Sequence, residues 1–271
     1  MSGAAPARRN FFSLKNLVSA AGPRSFCGFG DGEGTDPIDP KGPHSLPYEA
    51  RFAIGRRVEH QGEMPVSLKQ MLRRLRFGEP VVVVSGLPRS GTSMVMKMLD
   101  AGGLPLVIDN LRAADEDNPK GYYELERVKN LADEKDKAYL REAKGKGVKV
   151  ISFLLKSLPD DLNYKVLFIR RNIQEVLASQ KKMLARRDEP DETPPERMRE
   201  LFQDDLWRAT YLLKSKPQFE VLELEYSSIL ARPMEEVRRV NHFLGGRLDV
   251  EAMAAVVDPQ LYRNRAAPKA T

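Results

Sequence analysis

Val81-Val-Val-Val-Ser-Gly-Leu-Pro-Arg-Ser-Gly-Thr-Ser93, continuing into Met94-Val-Met-Lys-Met-Leu-Asp100, is the stretch that decides the fold. Four consecutive valines read as a strand buried on both faces, as at the centre of a parallel α/β sheet. The strand stops at Ser85-Gly86, a Pro/Gly turn follows, and an apolar-periodic helix begins near Thr92. Such a strand–turn–helix aims unpaired backbone N–H groups and the positive end of a helix dipole at one point, which suits a phosphate or sulfate. Gly91 lets the backbone approach the anion closely, Thr92 and Ser93 offer hydroxyls, and Arg89 supplies a fixed charge.

The common nucleotide loop reads G-x-x-x-x-G-K-[ST], with its Lys on the β/γ-phosphates and its hydroxyl on Mg²⁺. Here Thr92 follows Gly91, so that Lys is missing, and no later strand ends in an apolar run plus Asp that would hold a metal. The strand Lys165-Val-Leu-Phe-Ile-Arg170 ends in arginines instead. A site built from Arg and hydroxyls without carboxylates suits a nucleotide bound without a metal ion, and no metal ligands are expected.

The bulk composition narrows the class. A chain of 271 residues holds one α/β domain with a sizeable core plus an extension. Three His (His44, His60, His242) and the single Cys27 leave no zinc cluster or disulfide framework, and a lone Cys fits a reducing, cytoplasmic setting. No apolar stretch has membrane-spanning length. Of the net charge of +6, +4 falls in residues 1–80, which carry twelve basic and eight acidic side chains. The remainder is nearly balanced, with no basic stripe of the nucleic-acid-binding kind.

Residues 1–48 are rich in Gly, Pro and Ala and read as a flexible extension. Their first thirty residues contain Arg8, Arg9, Lys15 and Arg24 with no Asp or Glu, so an organellar transit segment is the alternative to an ordinary basic tail. Residues 49–80 form a lead-in whose stretch 66–77 has helical periodicity with a basic face, a helix expected to pack beside the sheet. An α/β domain then spans 81–265, followed by a tail at 266–271. Within it strands are expected at 81–85, 104–108, 148–153, 165–170 and 219–225, and helices at 92–101, 123–142, 172–186, 195–215 and 233–244. The alternation gives a P-loop-like, three-layer α/β fold, a central parallel sheet with helices on both faces.

A second strand–helix junction stands at Val166-Leu-Phe-Ile-Arg-Arg-Asn-Ile-Gln-Glu-Val-Leu-Ala-Ser-Gln180. Arg170 and Arg171 lie at the C-terminal end of the strand, where open α/β sheets bind ligands. Ser179, eight residues beyond Arg171, is about two helical turns away and can turn back to the same anion. The pairing of Pro-Arg-Ser-Gly-Thr-Ser with a downstream strand–Arg-x7-Ser helix resembles the sulfotransferase family, whose members use 3′-phosphoadenosine 5′-phosphosulfate as sulfo donor. The resemblance implies that Pro88, Arg89, Ser90, Gly91, Thr92 and Ser93 cradle the 5′-phosphosulfate, and that Arg171 and Ser179 hold the 3′-phosphate. Glu223-Leu-Glu-Tyr226, Leu230-Ala-Arg-Pro233 and Asn241-His-Phe-Leu-Gly245 extend the likeness, which puts Tyr226 near the nucleotide. Ser227 and Ser228 replace the family's usual acidic pair. Arg263 and Arg265 stand where the family often adds basic contacts to the 3′-phosphate. The likeness covers roughly 80–265, and its first loop is closer to the Pro-Arg-Ser-Gly-Thr-Thr of tyrosylprotein sulfotransferases than to the Lys-Ser-Gly-Thr-Thr of cytosolic members.

The implied reaction is metal-independent in-line displacement at sulfur, onto a hydroxyl or amine of a small molecule, glycan or peptide. The protein must neutralise the leaving oxygen, orient the acceptor and take its proton. Arg89 suits the first task. Lys149, in Gly147-Val-Lys-Val-Ile-Ser152, roughly parallels the Lys of the Lys-Thr-His strand of cytosolic members. The His of that strand is absent, since Ile151 and Ser152 stand there. Two carboxylates are candidates for the base. Asp109 lies one position from Asn110, where an ungapped alignment puts the catalytic Glu of tyrosylprotein sulfotransferases. Glu124 closes Asn118-Pro-Lys-Gly-Tyr-Tyr-Glu124, which resembles the Asn-Pro-x-Gly-Tyr/Phe-x-Glu of bacterial members. The rival readings are a P-loop kinase or nucleotide hydrolase, and a nucleotide-binding module without a base.

Overall fold

The computed structural model describes residues 68–109, 121–186 and 193–261. Four strands make one sheet, β1 (Val81–Gly86), β2 (Gly147–Lys149), β3 (Tyr164–Arg170) and β4 (Phe219–Glu225). Every pairing is parallel and the order is β2-β1-β3-β4. The valine run of β1 is buried throughout, as a strand covered on both faces demands. Full burial of each valine contributes roughly 1.5–3 kcal/mol.

Register explains which helix covers which face. Val84, Leu167 and Leu222 are partners across β1, β3 and β4, so their side chains share one face, and Val83, Val166 and Val221 share the other. The first face forms a core with α2 (Thr92–Ala101), α5 (Tyr226–Ala231), α6 (Pro233–Leu244) and α7 (Val250–Ala255), through Val95, Leu99, Ile229, Val237 and Met253. On the other face α4 (Pro195–Ser215) lies against β4 and a 3₁₀ turn at Ser152–Ser157, with α3 (Ile173–Arg186) beside it. The sheet is therefore the middle layer of a parallel α/β sandwich.

The first described helix, α1 (Leu68–Phe77), is attached by its basic side. Arg73 donates to Asn163 Oδ1 at 3.2 Å and to the Leu162 carbonyl at 3.0 Å, and Arg74 pairs with Glu220 at 2.8 Å. Leu68, Met71, Leu72 and Leu75 face outward. The helix does sit beside β3 and β4, with its basic face turned inward.

Three expected elements differ. Residues 104–108 form no strand, only a bridge from Leu106 to Gly147, because Pro105 has no N–H for a ladder. The expected strand 148–153 is cut to Gly147–Lys149, and the chain turns into the Ser152–Ser157 3₁₀ segment. The expected helix 123–142 is absent: that stretch has only short 3₁₀ turns, Glu126–Asn130 and Ala138–Leu140. Its apolar residues Leu125, Val128 and Leu131 recur every three positions, the 3₁₀ period, and the charged run Asp133–Lys137 between the turns has no apolar side chain to bury. The C-terminal α7 and the short α5 were not expected from the pattern. Asp249 caps α7 by accepting the Ala252 amide at 3.0 Å.

Candidate functional site

The chain leaves β1 to form β2 on one side and then β3 on the other, so the C-terminal ends of β1 and β3 border the point where the winding reverses. Crevices at such points are where open α/β sheets bind ligands. Two segments meet there, the loop Leu87–Gly91 after β1 and the Arg171–Asn172 junction after β3.

The loop is an open anion cradle. Gly91 stands at the N-cap of α2 with φ 105°, and among the described residues no side chain caps the helix. Among those residues the amides of Gly91, Thr92 and Ser93 also have no backbone acceptor, while Met94 and Val95 turn back to the Gly91 carbonyl. Ser90 is buried and its Oγ has no hydrogen-bond partner among the described residues. An orphan hydroxyl beside an uncapped helix start is costly unless a ligand or water serves it. Arg89 adopts φ 66°, a left-handed conformation uncommon outside glycine, and Pro88, half-buried, opens the turn. Thr92 is buried at the first turn of α2.

Both expected anion contacts belong to one cluster. Arg89 Nε donates to Ser179 Oγ on α3 at 3.2 Å. Arg171 Nη1 donates to the Arg89 carbonyl at 3.0 Å, and its guanidinium lies 4.3 Å from the centroid of the Tyr226 ring. The same ring packs on Gly91, where an added Cβ would fall 2.5 Å from Tyr226 Cδ2. Burial pushes the Tyr226 hydroxyl up from its ordinary pKa, opposed by Arg171. Arg171 also pairs with Glu175 at 3.0 Å, an acid singled out by no motif although its i,i+4 spacing on a helix start was visible. Arg170 is used differently. It binds Glu223 at 3.0 Å and Thr210 Oγ1 at 2.9 Å, tying β3 to β4 and α4.

Lys149 links the loop to one of the two carboxylates. Its Nζ donates to Ser93 Oγ at 3.0 Å, to the Tyr122 carbonyl at 3.1 Å and to Glu124 Oε1 at 2.9 Å. Glu124 Oε2 lies 3.6 Å from Lys129 Nζ, which places the carboxylate between two lysines. Asp109 is engaged elsewhere: its Oδ2 accepts the Glu126 amide at 2.5 Å, a cap on the 3₁₀ turn that follows Glu124. Arg263 and Arg265, with Asn110, lie outside the described residues.

Behind this region Ser152 donates to Asp205 on α4, both side chains buried. Burial raises the Asp205 carboxyl to about 6, with the Ser152 hydrogen bond opposing. Among the described residues no group of three His, Cys, Asp or Glu side chains could hold a metal ion, and no helix is long and apolar enough to cross a membrane.

The geometry can be set beside known proteins. The family model described as "Sulfotransferase domain" matches residues 79–264. Among solved structures, a sulfotransferase from Alicyclobacillus acidocaldarius is similar at 16% identity, covering 68% of this chain and 99% of its own, with a TM-score of 0.41. No curated protein sequence matches the chain.

Proposed function

From the premise that this chain belongs to the sulfotransferase domain family, whose reaction class is sulfo-group transfer, we propose that its donor is 3′-phosphoadenosine 5′-phosphosulfate and that the cluster at the ends of β1 and β3 binds it. One observation carries this reading: Arg89, Arg171, Ser179 and Tyr226 converge on the uncapped start of α2. Two fixed guanidiniums and a set of open amides match a ligand with anionic groups at both ends. The amides of 91–93 and the Ser90, Thr92 and Ser93 hydroxyls receive the 5′-phosphosulfate. Arg171 and Ser179 receive the 3′-phosphate, and Tyr226 borders the nucleotide.

In the transfer, an acceptor oxygen or nitrogen forms a bond to sulfur as the bond to the bridging oxygen breaks. Adenosine 3′,5′-bisphosphate leaves, and the acceptor's proton passes to a base. Arg89 and Lys149 face the charge that builds on the bridging oxygen. Glu124 takes the base role in preference to Asp109. Its carboxylate is 2.9 Å from the Lys149 ammonium that holds Ser93, whereas the Asp109 carboxylate is occupied by a backbone amide. The acceptor is a hydroxyl or amine of a small molecule, glycan or peptide.

The test is incubation of the purified chain with ³⁵S-labelled donor and EDTA, against phenols, alkyl alcohols, amino sugars and tyrosyl peptides. Labelled product with at least one acceptor class, abolished by Arg89→Ala, is expected. Turnover of ATP–Mg²⁺ in place of the sulfo donor would contradict the assignment.

A further inference from the structure

Glu175 is the feature of this cluster that an anion site does not call for. It stands at the third position of α3, where a carboxylate is favoured by the helix dipole, but it is only 4% exposed and its Oε2 accepts from Arg171 Nε at 3.0 Å. Arg171, 8% exposed, is thereby held at two corners, Nε on Glu175 and Nη1 on the Arg89 carbonyl, with its face on Tyr226. A carboxylate in that position satisfies the buried guanidinium and opposes the entry of a second anion.

Resting on the donor-site reading above, we infer that Glu175 is a positioning residue, the counter-ion that keeps Arg171 in place between turnovers and limits the affinity for the 3′-phosphate. Without nucleotide, removing the carboxylate leaves a buried guanidinium with one anionic partner fewer, which destabilises the free protein. With nucleotide, the phosphate supplies that missing charge and no longer shares the arginine. The gap between free and bound states therefore widens, and by linkage the nucleotide binds more tightly. A carboxylate that merely braced the helix would act in the opposite sense, since its loss would weaken stability and binding together. The consequence for turnover is product release: adenosine 3′,5′-bisphosphate carries the 3′-phosphate out, and Glu175 reclaims the arginine as it leaves.

The test is titration calorimetry of the full chain and of Glu175→Gln, in EDTA, with adenosine 3′,5′-bisphosphate and with adenosine 5′-monophosphate. For Glu175→Gln the bisphosphate Kd is expected to fall at least fivefold and the monophosphate Kd to stay within twofold. The ligand-free melting temperature falls by about 4 °C or more. An unchanged or raised bisphosphate Kd overturns the counter-ion role. If Glu175→Gln does not fold, Glu175→Asp carries the same test, with at least twofold tightening expected and unchanged or weaker binding overturning it. Wild-type binding that is absent, or indifferent to Arg171→Ala, defeats the donor-site reading itself. Arg171-dependent binding without tightening in the variants defeats only the role of Glu175.

Discussion

Two glycines with the same backbone conformation allow the packing at the site to be measured apart from backbone strain. Gly91, at the start of α2, has φ 105° and ψ 13°, and Gly245, at the end of α6, has φ 106° and ψ 13°. A Cβ at Gly245 meets nothing within 4 Å, whereas a Cβ at Gly91 falls 2.5 Å and 2.7 Å from two ring carbons of Tyr226. Both Ala substitutions incur the left-handed penalty, roughly 1–2 kcal/mol. Only Gly91→Ala adds an overpacking cost of roughly 1–3 kcal/mol. At roughly 2–4 °C per kcal/mol for a domain of this size, Gly245→Ala should lower the melting temperature by about 2–8 °C. Gly91→Ala should lower it by a further ~2–12 °C on the same scale. Displacing the ring disturbs its contact with the Arg171 guanidinium, so Gly91→Ala also weakens adenosine 3′,5′-bisphosphate at least tenfold, about 1.4 kcal/mol, while Gly245→Ala leaves its Kd unchanged. Scanning calorimetry and a titration of each variant suffice. Equal thermal shifts for the two variants would refute the close packing of Tyr226 on Gly91.

Four further outcomes follow from the same geometry. Asp205 has a folded pKa of about 6 against 3.8 unperturbed, so the stability its protonated form provides is present below about pH 3.8 and is lost as pH rises through 6. At 1.36 kcal/mol per unit the loss is about 3 kcal/mol, so Asp205→Asn should gain on wild type by about that much between pH 3.5 and 7.5 in urea melts; a gap constant with pH contradicts it. Glu124→Gln should lower kcat by about 10²–10⁴-fold with little change in donor KM. Asp109→Asn should instead keep kcat within threefold and lose about 1 kcal/mol of stability as a weakened cap, and the reverse pattern would move the base to Asp109. Lys149→Met should lower kcat by about 10²–10³-fold. An unchanged kcat would show that the ammonium serves only to tie Ser93 to Glu124.

The part of the site that could be read from sequence is the part that is local. The valine run, the turn and α2 are contiguous, and the chemistry of each residue fixes its place: burial for Val81–Val84, a positive φ for Gly91, an open helix start at Thr92. Arg171 and Ser179 were legible through helical spacing only together with the resemblance to the sulfotransferase family. What spacing cannot give is which of two adjacent arginines turns inward. That choice is made by Glu223 and Thr210, which hold Arg170 on the α4 side of the sheet. The contact of Tyr226 with Gly91 joins residues 135 positions apart in sequence, and no periodicity encodes it. The misread segment 123–142 has enough charge and apolar content for a helix, but its threefold apolar spacing and the Lys149 contacts to Tyr122 and Glu124 hold it as turns. Between Asp109 and Glu124 the sequence offered no decision, because the difference lies in what each carboxylate already binds.

The central claim is that the cluster around Arg171 is a metal-independent site for the donor nucleotide. Titration calorimetry with adenosine 3′,5′-bisphosphate in EDTA and, separately, with ATP–Mg²⁺, on wild type, Arg171→Ala and Arg170→Ala, tests it most directly. Micromolar binding of the bisphosphate without metal is expected, weakened at least tenfold (about 1.4 kcal/mol) by Arg171→Ala and less than threefold by Arg170→Ala. Binding of ATP–Mg²⁺ alone, indifferent to Arg171, would contradict it.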